Sequence, residues 1–307
     1  MPGTPPTFRQ LLDSRGLIVA PGAYDAITAR MIEHAGFPLV YMTGGGTAAA
    51  HGYPDYGLLT MTEMVDTAAI LARSVSIPVL ADADTGYGNE LNVIRTVQEY
   101  EHRGVSGIHL EDQVSPKRCG HLDGKQTVGR VQYVSLITAA VEARQSDDFI
   151  IVARTDAVAT DGLDEAVDRA NAALDAGADV AFIEAPVSLD DIAAVPDRVH
   201  GPCLLNIVPG GKTSVSDLSD AESMGYRIVL CPGLLVGAAI IAGDMVLKQL
   251  AETKKHPSSG GGSIGDFFSR FGGAQWDVVR RRLAEAEAEA ETGAEIETGA
   301  ETEGVKA

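Results

Sequence analysis

Eight short apolar runs, each followed by an amphipathic segment, recur along this chain, and few folds accommodate that beat. The runs are Leu17–Ala20, Leu39–Met42, Pro78–Ala81, Val105–Leu110, Phe149–Ala153, Val180–Ile183, Leu204–Ile207 and Arg227–Leu230. The helical segments that follow them are Asp25–Ala35, Thr62–Ser74, Glu90–Arg103, Val131–Arg144, Leu163–Ala176, Leu189–Val195, Val215–Met224 and Val236–Glu252, with a short helix at Thr7–Ser14 ahead of the first run. Alternation of this kind predicts a parallel sheet with right-handed crossovers. Eight units in roughly 250 residues predict an α/β fold of the (β/α)8 TIM-barrel type. An open doubly wound sheet is the structural alternative, but the chain has no Gly-rich dinucleotide fingerprint.

A barrel collects its chemistry at the C-terminal ends of its strands. In this chain those ends carry Tyr41 and Thr43-Gly44-Gly45-Gly46, Asp82 and Asp84, Glu111, Arg154, Glu184, Asn206 and Pro232. Four carboxylates and one guanidinium at one mouth predict a metal site with an anion clamp. Asp82 and Asp84, two apart on an extended segment, point to one side and suit a hard cation. Mg2+ fits all-oxygen ligation, with Mn2+ as the alternative ion. Thr43 and the Gly44–Gly46 run offer backbone N–H groups to a carboxylate or phosphate, and Arg154 is placed to grip a carboxylate with two parallel hydrogen bonds. His51 and His109 show no ligand partner and read as structural.

After the fourth run the chain enters Leu110–Lys125, which packs two acids, two cations, a thiol and an imidazole between Glu111 and His121. Lys117, Arg118 and His121 flank Cys119, the setting in which a thiol pKa falls below about 8.5. Gly120 lets the backbone turn tightly between Cys119 and His121. The pattern predicts a mobile cover on a rigid strand end.

The net charge of −19 excludes an ordinary nucleic-acid binder, since no basic stripe offsets it. No apolar run approaches the about 20 residues of a membrane span, and the N-terminus lacks a secretory pattern. Three cysteines, Cys119, Cys203 and Cys231, fit reduced thiols in a cytoplasm better than a disulfide framework. The barrel is expected over residues 1–253, a Gly/Ser-rich linker over 254–265, and a helix over 266–289 whose Phe267, Phe268, Phe271, Trp276, Val279 and Leu283 need burial. The acidic repeats of 290–307 have no apolar stripe and read as a disordered tail.

The chain resembles the isocitrate lyase/phosphoenolpyruvate mutase superfamily. Lys117-Arg118-Cys119-Gly120-His121 matches the signature of its lyase branch, and Thr43–Gly46, Asp55, Asp82–Gly88, Glu111–Gln113, Arg154–Asp156 and Asn206 fall where the family has its motifs. The similarity runs from about Phe8 to about Glu252 and is greatest to the short lyases that act on 2-methylisocitrate or 2,3-dimethylmalate. It implies a homotetramer whose eighth barrel helix is exchanged between subunits, Mg2+ near Asp55, Asp82, Asp84 and Glu111, and a small carboxylate substrate. Lys117, Arg118 and Gly120 join the substrate contacts on this resemblance, with Cys119 on a gating loop as proton donor. Tyr41 and Glu111 are the alternatives for the base, and His121 and Arg154 stabilise charge. Gly233-Leu234 after Pro232 departs from the bulky-then-hydroxyl pair expected there, which leaves a phosphonate mutase or an oxaloacetate hydrolase as the rival activities.

Overall fold

The computed structural model describes residues 5–208, 210–213, 215, 217–257 and 262–303. Its strands are β1 Ile18–Ala23, β2 Val40–Met42, β3 Val79–Asp82, β4 Gly107–Glu111, β5 Ile150–Thr155, β6 Val180–Ile183, β7 Cys203–Asn206 and β8 Ile228–Cys231. All pair in parallel with their sequence neighbours, and β8 closes on β1 through Ile18–Ile228 to Pro21–Cys231. The result is the expected closed eight-stranded barrel.

The helices are α1 Phe8–Asp13, α2 Ala26–His34, α3 Gly44–Ala50, α4 Met61–Ser74, α5 Glu90–His102, α6 Arg130–Ala143, α7 Leu163–Asp175, α8 Leu189–Arg198, α9 Leu218–Ser223, α10 Leu234–Thr253, α11 Ile264–Ser269 and α12 Gly273–Glu303. Several start at a residue that satisfies the orphan N–H groups of the first turn. Asp25, Thr60 and Asn89 each close a capping box on α2, α4 and α5.

The period of two along each strand sorts side chains to opposite faces. Ile150 and Val152 of β5, Val180 and Phe182 of β6, Ile228 and Leu230 of β8 fill the barrel interior with Leu39, Leu80 and Leu204. Ile108, Leu110, Ile151 and Ala153 face outward onto the helices, in a core continued by Val93, Val97, Tyr100 and Ile137. Continuing the inward face past its apolar layers brings Asp82, Glu111, Arg154, Glu184 and Asn206 to the C-terminal mouth.

The opposite end is sealed by α1. Phe8, 1% exposed, joins the interior cluster, and Arg227 donates to the carbonyls of Leu12 (3.1 Å) and Ser14 (2.7 Å) to hold the helix end. Arg9 adds an ion pair to Asp179 at 2.7 Å.

Three sequence expectations need correction here. The Gly44–Gly46 run is not a loop but the first turn of α3, capped by the Thr43 hydroxyl accepting from the Gly46 N–H; its glycines tolerate the helix because the small turn must sit against the barrel mouth. α10 is long and apolar enough to span a membrane by length and composition, although no single unbroken apolar run in the sequence is. It follows β8 directly, and its Leu235 packs on the core. Finally, α11 begins inside the segment read as linker, and α12 runs on to Glu303 through the acidic repeats read as disordered. Ala and Glu are strong helix formers, so local hydrogen bonds suffice where no apolar stripe exists.

Residues 1–245 and 246–307 form separate compact units. The break lies within α10, before the expected boundary at 253, because a helix's own hydrogen bonds carry it past the last residue of the barrel.

Removing the plug tests this account of the closed end. Phe8→Ala should cost about 3–5 kcal/mol of unfolding free energy, the usual range for a buried Phe truncation, read from urea midpoints at unchanged m-value.

Candidate active site

The mouth of the barrel is built in two layers. The lower one is aromatic. His109 stacks on Tyr41 (ring centroids 5.7 Å apart) and meets the edge of Phe182. The Tyr41 hydroxyl and His109 Nε2 share a hydrogen bond of 2.9 Å, and His109 is fully buried. Burial pushes His109 down to about 4, so the ring is neutral at neutral pH. Two residues before Glu111 on the same strand, His109 shares its face and lies beneath the cavity as a fully buried part of the floor.

Above this floor lie the charges. Arg154 sits over the Phe182 ring at 5.2 Å and pairs with Glu111 Oε2 (3.0 Å) and Asp156 (2.9 and 3.2 Å). Those acids, with Glu184, keep its guanidinium charged against the opposing effect of burial. Asp82 accepts from the Asp84 N–H at 3.0 Å. Burial alone would raise Asp82, but the His109 ring, Lys117, Arg154 and the Asp84 N–H outweigh it and hold this carboxyl at about 2. Asp84 goes the other way: burial, with help from Asp82 and Asp55, raises it to about 6 despite Lys117. Asp84 also takes a left-handed backbone, φ 46°, which an aspartate tolerates better than most residues.

Over the mouth lies a flap, residues 112–128. Its two limbs meet at an antiparallel bridge between Gln113 and Thr127, with Val114 N–H donating to Gln126 O at 2.8 Å. Gly120 at its tip presses onto the site, where an added Cβ would lie 2.5 Å from both Arg154 Nη2 and Glu184 Oε1. Lys117 reaches down between two acids, to Asp55 at 2.5 Å and Asp84 at 2.9 Å. His121 Nδ1 accepts from the Lys212 N–H at 3.0 Å. That leaves Nε2 to carry the proton toward Glu184 Oε1, 3.0 Å away. Asn206 donates to the same carboxylate at 3.2 Å.

The sequence expectation for Cys119 is overturned by this geometry. Burial raises the thiol above its ordinary range rather than below it. The cations beside it have other partners, Lys117 on Asp55 and Asp84 and Arg118 over the Tyr56 ring at 5.4 Å, and the His121 ring faces Glu184. Arg118 is exposed and does not line the site, so its place among the substrate contacts is not supported either.

The expected metal ligands are only partly brought together. Asp55 is taken by Lys117, and among the described residues no three His, Cys, Asp or Glu side chains form a preformed chelate. Asp82, Asp84 and Glu111 are buried, and Asp84 Oδ1 and both Glu111 oxygens lack a hydrogen-bond donor among the described residues, the nearby cations being ion-pair neighbours only. Buried all-oxygen donors without hydrogen bonds suit a hard cation that keeps several waters.

Between floor and flap is a cavity of about 170 Å3. Tyr41, Asp82, Cys119, His121, Arg154 and Glu184 line its polar side; Val208, Pro232, Gly233 and Val236 make an apolar wall opposite. Thr43, Gly44, Gly45 and Asn206 border it as expected. Sequence reading missed the apolar wall, since Val208 and Val236 lie in a loop and a helix with no motif.

Acids, an arginine and a thiol-bearing flap thus converge on one cavity at the barrel mouth. A family model described as phosphoenolpyruvate phosphomutase matches residues 8–251. The chain is 49% identical over 226 residues to the 2,3-dimethylmalate lyase of Eubacterium barkeri, covering 73% of this chain and 78% of that one. It is 40% identical over 245 residues to the 2-methylisocitrate lyase of Aeropyrum pernix, covering 80% and 79%. A solved oxaloacetate acetylhydrolase, in complex with the inhibitor 3,3-difluorooxalacetate, superposes with a TM-score of 0.87 at 36% identity, over 91% of this chain and 96% of that one. The chain belongs to the phosphoenolpyruvate mutase/isocitrate lyase superfamily and is a carbon–carbon lyase within it.

Gly44 gives a direct test of the site's tolerance. A Cβ there would lie 2.1 Å from Asp82 Oδ2. Gly44→Ala should therefore displace that carboxylate and cut kcat/KM by about 10²-fold, the scale of a misplacement near 1 Å, with the circular dichroism spectrum unchanged.

Proposed function

We propose that this enzyme is a Mg2+-dependent lyase that cleaves an alkyl-substituted 2-hydroxy di- or tricarboxylate, of the dimethylmalate or methylisocitrate kind, to a 2-oxo acid (pyruvate or glyoxylate) and a carboxylic acid. The observation that carries this reading is that Cys119, whose thiol burial pushes up, lines one cavity with Arg154 and with the apolar side chains of Val208, Pro232 and Val236. The side chains of Val208, Pro232 and Val236 carry no hydrogen-bonding atom, and they match alkyl substituents. Nothing lies within 4 Å of a Cβ built on Gly233, so the position adds room.

In the cleavage, Arg154 and the Gly44–Gly46 amides hold the substrate carboxylates. The hydroxyl gives its proton to a base, its oxygen becomes a carbonyl, and the bond between the two central carbons breaks. The electron pair of that bond stays on the carbon beside the remaining carboxylate. Cys119 Sγ then delivers its proton to this carbon, giving the second acid. Tyr41 is a poor base, because burial pushes its phenol well above 10. Glu111, whose carboxyl burial also raises, is the other candidate for the base. Asp82, Asp84 and Glu111 would hold Mg2+, which when bound supplies Lewis-acid stabilisation of the developing alkoxide. His121, held in one tautomer, keeps Glu184 and the flap in register. We assign the protein to the cytoplasm and to a homotetramer with helix exchange. The assembly reading is supported by the open apolar face of α10, where Ile240, Ile241, Met245 and Leu247 are more than half exposed.

The activity is tested with 2,3-dimethylmalate, 2-methylisocitrate, oxaloacetate and phosphonopyruvate, each with Mg2+ and with excess chelator. Pyruvate from the first two, abolished by chelator at an unchanged melting temperature, is expected. Turnover of oxaloacetate or phosphonopyruvate alone would replace the lyase assignment.

Cys119→Ser separates chemistry from packing. A serine hydroxyl is too weak an acid to protonate the carbanion, so kcat should fall by about 10²–10⁴-fold while KM and melting temperature hold. Because burial raises the thiol, the alkaline limb of the wild-type kcat profile should lie above the free-thiol value of about 8.5, where an unshifted thiol would already have lost its proton. Near-normal turnover of the variant would remove Cys119 from the reaction.

A further inference from the structure

Lys125 stands at the base of the flap's return limb, next to Gln126, whose carbonyl closes the neck. Its side chain is 1% exposed, and its ammonium makes two bonds. One goes to Asp156 Oδ1 at 2.7 Å; the other goes to the Gly120 carbonyl, at the flap's tip between Cys119 and His121. Asp156 is itself immobilised. Its backbone N–H donates to Asp112 Oδ1 at 2.8 Å, and Asp112 is gripped by Arg169 (2.9 Å) and Thr155 (2.6 Å). The same Asp156 holds Arg154 through two hydrogen bonds.

One rigid carboxylate therefore fixes both the guanidinium of the site and, through Lys125, the backbone turn that carries the thiol. The other side-chain links from the flap tip act differently. Lys117 reaches Asp55 and Asp84, and the Asp123 pair with Lys212 (2.7 Å) lies on the surface. Gln113 grips the backbone N–H and C=O of Arg118 (3.0 and 2.8 Å) and His121 faces Glu184 at 3.0 Å, so these links hold the flanking residues, whereas Lys125 bonds the Gly120 carbonyl between them. A buried ammonium released from these two acceptors would leave Asp156 with surplus negative charge and Gly120 with a buried, unpaired carbonyl, both costly.

We infer that Lys125 is a positioning residue that sets the closed register of the flap, tying the placement of Cys119 to that of Arg154. It touches no reacting atom and acts through Gly120 and Asp156. The inference deepens the lyase reading, in which Cys119 must be delivered to the substrate carbon when the flap is shut.

The test uses the three thiols of the intact chain. Cys119 is alkylated by iodoacetamide and its rate is divided by that of Cys231, a partly buried thiol at the end of β8 outside the flap, with peptides quantified by mass spectrometry. Lys125→Met, which keeps the apolar stem, should raise this ratio at least about tenfold as the flap opens locally. With a turned-over substrate, kcat should fall about 10²-fold through misplacement of the thiol while KM stays within about threefold. Lys125→Arg, which retains two donors and the charge, should bring the ratio back to the wild-type value. If Lys125→Met does not fold, Lys125→Gln, polar but too short to reach Asp156, takes its place with the same expected rise. A folded Met or Gln variant with an unchanged ratio overturns the proposal, whatever its melting temperature. The alkylation ratio does not depend on turnover, so a chain inactive on every acid would defeat the lyase reading and leave this result standing.

Discussion

Buried carboxylates must be paired, and at this barrel mouth the pairing cations arrive on the flap. Asp82, Asp84, Glu111, Asp156 and Glu184 are all nearly inaccessible to water. The barrel itself offers them Arg154; Lys117 and Lys125 come from the segment that covers them. Closing the flap and neutralising the acids are therefore one event. An open flap exposes the acids to water, which solvates them, and a closed one removes water while inserting ammonium groups. Neither half-state is cheap, since an uncompensated buried charge costs several kcal/mol.

The aromatic floor determines what the charges above it do. Tyr41, His109 and Phe182 close the interior beneath Arg154 and Glu111 without supplying a formal charge at neutral pH. Electrostatic interactions in such a low-dielectric pocket are strong, and proton affinities diverge. Asp82 is held at about 2 while Asp84, two residues on, rises to about 6. Burial acts on both carboxylates; at Asp84 it prevails, with help from Asp82 and Asp55, despite the ion pair to Lys117, whereas at Asp82 the opposing interactions outweigh it. The same logic explains Cys119. Its neighbours in sequence are cations, yet in space Lys117 pairs with Asp55 and Asp84 and Arg118 lies over the Tyr56 ring, and what dominates at the thiol is burial.

Much of this was legible in the sequence. The eight-fold beat of apolar runs determines the barrel, because a run of that length buried on both faces has few other solutions. The period of two along a strand then brings Tyr41, Asp82, Glu111, Arg154, Glu184 and Asn206 to one mouth, since strand ends and side-chain alternation are local properties. The Lys117–His121 pentapeptide and its flanking glycine mark a cover over that mouth for the same reason.

The tertiary structure decided which neighbour each charge chooses. Arg118 is adjacent to Cys119 in the chain, yet it leaves for Tyr56; Lys125, six residues on, returns to grip Gly120. His109 reads as a lone core histidine until β2 and β6 place Tyr41 and Phe182 against it. The apolar wall joins Val208, after β7, to Val236 in α10, two positions with no shared motif. Local pattern specifies which face a residue occupies, because that follows from backbone geometry. Which partner it meets there depends on distances between elements far apart in sequence, and only packing sets those.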